Sequence, residues 1–140
     1  MPDAILAALN IERRTTFWQE RLLQVHGNVF VVEANGSIAG FCDLIPSRDQ
    51  DANPKTIAEI AAIYVLPEHW RQGLGRALCQ HALTEARRQN HTTVTLWILA
   101  SNTAARHFYE AMHFTPDGAT KTDRTADGTE LHEVRFSLSL

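Results

Sequence analysis

The chain has 140 residues, 44% hydrophobic and 21% charged, with a formal net charge of -3. That predicts a single globular domain over 1–140, and the mildly acidic balance argues against binding nucleic acid by neutralising phosphates. No apolar run approaches the roughly 20 residues of a membrane span, and Met1-Pro2-Asp3-Ala4 lacks the basic opening of a secretory signal, so a cytoplasmic protein is expected.

Residues 3–9 suggest a short helical turn. Residues 11–25 suggest an amphipathic helix, with Phe17, Trp18, Leu22 and Val25 near one face. Asn28 to Ala34 reads as a strand, Asn35-Gly36 as a hairpin turn, and Ser37 to Ile45 as the partner strand. The polar stretch 46–56 is a loop. Ile57 to Val65 is a mostly apolar strand, as suits a position buried on both faces. A helix follows from about Gln72 to Gln89, with Leu74, Leu78, Ala82 and Ala86 as its stripe. Thr93 to Leu99 is another buried strand. Ser101 or Asn102 caps a helix whose inward stripe is Ala105, Phe108, Tyr109 and Met112. Phe114 begins a strand, Asp117-Gly118 marks a turn, and Leu131 to Leu138 is the last strand. The order predicts a mixed α/β (α+β) sheet with helices packed on it.

The most informative stretch runs from the third strand through Pro67-Glu68-His69-Trp70 and Arg71-Gln72-Gly73-Leu74-Gly75-Arg76 into a helix. Alternate glycines let the backbone turn tightly, and the helix N-terminus adds unpaired N–H donors and a positive dipole end. Such a turn can cradle phosphate, with Arg71 and Arg76 as cationic donors at its rim. It can also be a plain strand-to-helix turn. The Walker pattern is absent. A dinucleotide fingerprint fails too, because Leu78 stands at its third glycine.

This stretch, EIAAIYVLPEHWRQGLGRALCQHAL followed by VTLWILASNTAARHFYEAMHF, resembles the GNAT N-acetyltransferase superfamily. The resemblance implies a mostly antiparallel sheet with one splayed parallel strand pair and flanking helices. It also implies acetyl-CoA as co-substrate. The backbone N–H groups of Arg71, Gln72, Gly73, Leu74, Gly75 and Arg76 would hold its pyrophosphate. Free backbone groups of Ile63, Tyr64 and Val65 would pair with its pantetheine arm, since an open strand edge is a template for an amide-bearing chain. Asn102 matches a CoA-contacting asparagine, and is equally a helix cap.

Tyr109 matches the family's general acid, which protonates the departing thiolate. Glu59 matches a strand glutamate that serves as base in histone-acetylating members. Read without the family, Tyr109 is a core residue and Glu59 a solvated or ion-paired strand carboxylate. His69 and His107 are weaker base candidates. A backbone N–H of Ile63 or Tyr64 could serve the oxyanion.

Three features depart from the family. Trp70 stands where Gln or Arg is usual. Trp97 takes the place of the base glutamate of ribosomal-protein alanine N-acetyltransferases, which argues against that mechanism. The family's first strand is missing or very short, so the sheet exposes an edge that a partner chain, such as a second copy in a homodimer, could cover.

The expected activity is acetyl transfer to a primary amine, small-molecule or peptide, by direct attack in a ternary complex. Loop 118–130, with Lys121, Asp123, Arg124, Asp127 and Glu130, would help form the acceptor pocket. The alternative is a CoA-binding or regulatory module without catalysis. Cys42 and Cys79 read as buried thiols with no placed histidine partner, and the seven histidines show no metal-ligand spacing, so no metal is expected.

Overall fold

The computed structural model describes residues 21–25 and 28–140. They form seven strands, β1 (Arg21–Val25), β2 (Val29–Ala34), β3 (Ser37–Pro46), β4 (Ile57–Val65), β5 (Thr93–Leu99), β6 (Thr115–Arg124) and β7 (Glu130–Ser139). Two helices, α1 (Leu74–Arg88) and α2 (Thr103–Ala111), and a 3-10 turn at Pro67–His69 complete the elements. The mixed α/β sheet expected from the sequence is present.

The chain divides into two compact units. The first holds the described residues up to Ile45 together with Ile60–Glu85; the second holds Pro46–Glu59 and Ala86–Leu140. β4 and α1 each run from one into the other.

In the first unit β1, β2, β3 and the second part of β4 lie in that order. Asn35 and Gly36 both take positive φ, 53° and 78°, as the tight hairpin turn between β2 and β3 requires. α1 forms because Leu74, Leu78 and Ala82 recur at helical spacing, and all three are buried. They share the core with Phe30, Val32, Phe41, Leu44 and Cys79. The Phe30 ring meets His81 of α1 edge-on at 4.6 Å between centroids.

In the second unit the order is β4, β5, β7, β6. β4 and β5 are parallel, while β5–β7 and β7–β6 are antiparallel. Val94, Leu96, Ile98, Phe114 and Phe136 form its core.

Three expectations are corrected. Residues 21–25 are not the end of a helix but strand β1, which pairs with β2 from Arg21↔Glu33 to Val25↔Val29. Helical spacing over 11–25 does not exclude a strand at its end, because five residues are too few to separate a period of 3.6 from one of 2. The β2 edge that a missing first strand would bare is thus covered by the chain's own β1. Residues 3–9 and 11–20 lie outside the described residues.

Asp117-Gly118 is not a turn between strands. It lies within β6, where the register to β7 shifts between Pro116 and Thr120 and Gly118 takes φ 92°. Consequently most of 118–130 is strand, and only residues 125–129 connect β6 to β7. β6 is exposed along nearly its whole length, so it carries no apolar alternation from which a strand could be read.

Candidate active site

The glycine loop forms a cradle in the first unit. β4 ends at Val65, and the Leu66 N–H donates to the Ala39 carbonyl at 2.8 Å, which holds the loop's start on β3. The 3-10 turn follows. Arg71 then takes φ 64° and Gly73 φ 80°, two left-handed residues within three positions. They reverse the chain so that α1 starts at once, its Ala77 N–H donating to the Gly73 carbonyl at 3.0 Å. The N–H groups of the residues before Ala77 therefore have no partner inside the helix. No acidic residue lies in the first turn of α1, while Arg71 and Arg76 are both exposed there. A Cβ placed on Gly73 would meet nothing within 4 Å, so the loop faces open space. Open N–H donors, a helix dipole and two cations suit a polyphosphate.

Upstream lies a strand edge. The parallel ladder between β4 and β5 pairs Ile57–Glu59 with Thr93–Thr95 and goes no further. The Tyr64 carbonyl faces β3, where it lies 2.5 Å from the position of a Cβ on Gly40. Only a glycine permits that approach. Backbone groups alternate along a strand, so those of Ile63 and Val65 face away from β3. The Val65 carbonyl already has a partner, because the Trp70 indole Nε1–H donates to it at 2.8 Å. Trp70 is 61% exposed, and its ring thus covers the end of this edge. Gly40 and this use of Trp70 were both missed in the sequence. Gly40 sits in an ordinary strand pattern, and nothing local marks the close approach of β4.

Glu59, Asn102 and Tyr109 belong to the second unit. Glu59 is 2% exposed, and both carboxylate oxygens accept hydrogen bonds from Arg48. The Arg48 backbone N–H donates to Oε1 at 3.0 Å, and its Nη2 donates to Oε2 at 2.7 Å. The ion-paired reading of this residue therefore holds in the structure. Asn102 caps α2, its Oδ1 accepting from the Ala105 N–H at 3.0 Å. Tyr109 is half-buried on α2, its ring edge-on to Phe108 at 4.9 Å and Phe114 at 5.7 Å. His69 is half-buried, 3.4 Å from Gln72 through Nδ1, and His107 is exposed on α2.

Trp97, at the place of the alternative base, points its indole N–H at Asp49, 3.0 Å from Oδ1. Arg135 locks the same carboxylate. It donates to Asp49 at 3.1 Å, to both oxygens of Asp51 at 2.8 and 2.9 Å, and to Asp117 at 2.7 Å. One guanidinium thereby ties the 46–56 segment and β6 to β7.

Burial pushes the Cys79 thiol up to about 12, and pushes Cys42 further in the same direction. Neither is a nucleophile in this state, since the reactive form is the thiolate. Among the described residues no group of three His, Cys, Asp or Glu side chains could hold a metal ion, and no helix is long and apolar enough to cross a membrane.

The acetyltransferase (GNAT) family matches residues 4–114. The chain belongs to that family. It is 29% identical to the N-acetyltransferase YuaI of Bacillus subtilis over 96% of its own length and 73% of that protein. It is 32% identical to the [ribosomal protein bS18]-alanine N-acetyltransferase of Escherichia coli K12, over 77% of this chain and 72% of that enzyme. Among solved structures it resembles YncA of Salmonella typhimurium, determined with its cofactor acetyl-CoA, at a TM-score of 0.68 and 28% identity. That match covers 80% of this chain and 64% of the other. As a member of the GNAT family the chain is an acyltransferase by class.

Proposed function

We propose that this GNAT enzyme transfers the acetyl group of acetyl-CoA to a primary amine, which attacks the thioester directly in a ternary complex. The observation that carries the reading is the cradle before α1, with Gly73 open at φ 80°, unpaired helix N–H groups and Arg71 and Arg76 beside them. These features fit the diphosphate of CoA. The adjoining edge of Ile63 and Val65 fits an amide-bearing arm. The relative determined with acetyl-CoA supports the same cofactor. When bound, acetyl-CoA supplies an activated acetyl group on sulfur.

The chain's own residues do the rest. The N–H of Ile63 bonds the acyl oxygen, a role for which Tyr64 is less suited because its carbonyl faces β3. Tyr109 donates its phenolic proton to the departing thiolate. An ammonium has no lone pair, so the acceptor must lose a proton before it attacks. Glu59 is the base once Arg48 has left its carboxylate. The buried thiols of Cys42 and Cys79 support direct transfer over an acyl-enzyme.

The reading is tested by calorimetry with acetyl-CoA and by thiol release with a panel of amines. Gly73→Asp should abolish acetyl-CoA binding, because it strains a φ 80° position and adds a charge against phosphate. Unchanged affinity in that variant would place the cofactor elsewhere. Binding of acetyl-CoA with no turnover on any amine would favour the non-catalytic CoA-binding module.

A further inference from the structure

One face of the second unit's sheet carries side chains with no part in the chemistry above. Thr95, Trp97 and Leu99 alternate along β5 and so share a face. The register sets Arg135 beside Trp97 and Glu133 beside Leu99, with Lys121 of β6 beside Glu133. The Lys121 ammonium reaches across β7 to stand 4.4 Å from the centroid of the Trp97 ring. It is 3.8 Å from Glu133 Oε2. The ring is held by its own N–H on Asp49, so its face is fixed toward the cation.

This arrangement is incompletely satisfied. Glu133 Oε2 is buried, and at 3.8 Å Lys121 is too far to hydrogen-bond it; among the described residues it has no other partner. Thr95 is 4% exposed, and its hydroxyl likewise finds no partner among the described residues. Burial raises the Glu133 carboxyl from its ordinary value; the neighbouring Asp123 carboxyl adds to the rise and the Lys121 ammonium opposes it. Hydrogen-bonding capacity thus remains beside a cation that does not use it. Lys121 is 40% exposed along its side chain, so it can leave. Leu99, 37% exposed, continues the stripe with apolar surface suited to methylene groups.

We propose that Trp97, Glu133 and Leu99 form a binding site for an alkylammonium group of the acceptor, and that Lys121 occupies this site when the acceptor is absent. The ring face attracts the cation, the carboxylate takes its charge and an N–H, and Leu99 packs the aliphatic stem. Lys121 is itself a primary ammonium on a four-carbon stem, so its placement shows what the site accepts. The ligand chemistry is that of an aliphatic diamine or a lysine side chain. The word acceptor rests on the acetyl-transfer reading; the binding does not.

The test is calorimetric titration of the full chain with 1,5-diaminopentane, with a lysine-containing peptide, with the neutral 1-pentanol, and separately with acetyl-CoA. Lys121→Gln should tighten ammonium binding and Trp97→Leu should weaken it, each by about tenfold, as expected for a partly desolvated cation–π contact. Trp97→Phe keeps a ring and should retain part of the affinity. Glu133→Gln should also weaken binding, and with Lys121→Gln it carries the test if Trp97→Leu does not fold. The tighter of diamine and peptide identifies the source of the ammonium. No gain in Lys121→Gln, or pentanol binding as well as the diamine, would overturn the site and leave a static surface pair. Acetyl-CoA affinity should be unchanged in all four variants. Loss of acetyl-CoA binding by the native chain, with ammonium binding intact, would sink the acetyl-transfer reading alone.

Discussion

Tyr109 packs its ring against Phe108 and Phe114 and carries its hydroxyl at the far end, so packing and proton donation can be separated. Tyr109→Phe keeps the ring contacts. Turnover should fall about 100-fold, the lower range for loss of a general acid, while calorimetric acetyl-CoA affinity stays the same. Equal turnover would make Tyr109 a packing residue. Gly40 is a second residue with a sharp consequence. An alanine there would set its Cβ 2.5 Å from the Tyr64 carbonyl oxygen and 3.2 Å from the Val65 Cα, both backbone atoms that cannot rotate aside. Gly40→Ala should cost about 1–3 kcal/mol in chemical denaturation. It should also raise the KM for acetyl-CoA, because the strand that must shift carries Ile63 and Val65.

Asn102 shows how one residue anchors an element. α2 has no buried residue within its nine positions, so its start depends heavily on the cap. Asn102→Ala should remove about 1 kcal/mol of stability, seen as a lower melting temperature. If acetyl-CoA affinity falls as well, the side-chain amide contacts the cofactor too. The elements that could be read from the chain were those with strong periodicity. α1 declared itself through Leu74, Leu78, Ala82 and Ala86, and β4 and β5 through unbroken apolar runs; both strands begin and end where expected. β1 was hidden because a five-residue strand offers too few positions to separate a period of 2 from 3.6. β6 was hidden because Thr, Asp and Lys facing water on both sides carry no period at all. The glycine loop was legible because backbone conformation at Gly73 is written in the residue type. The Arg48 pairing of Glu59 was not, since the partner lies 11 residues away in a loop of no fixed pattern.

Across the molecule, the chain passes between its two units at Ile45, Glu59 and Glu85, so neither is a contiguous stretch that could be cut out. Within the second unit Arg135 gathers Asp49, Asp51 and Asp117 and joins parts of the chain 86 residues apart. Its hydrogen bonds hold the Asp51 carboxyl below its ordinary value of 3.8. A carboxyl depressed on folding favours the folded state above its unfolded value and loses that contribution as pH falls through the folded one. Thermal melts should therefore be flat above about pH 5 as far as this group is concerned, and decline below 3.8. Asp51→Asn should flatten that part of the decline. An acid profile identical to the native one would show that the Arg135 cluster does not govern it.

The register break in β6 has a consequence for how copies of the chain meet. β6 is the outermost strand of its side of the sheet, and an outermost strand offers its free backbone groups to any neighbouring molecule. Here Pro116 withholds a donor and Gly118 at φ 92° breaks the regular course of the strand. The ladder a second molecule would need is interrupted near its start. The irregularity that obscured β6 in the sequence thus guards this border against fibrous self-association.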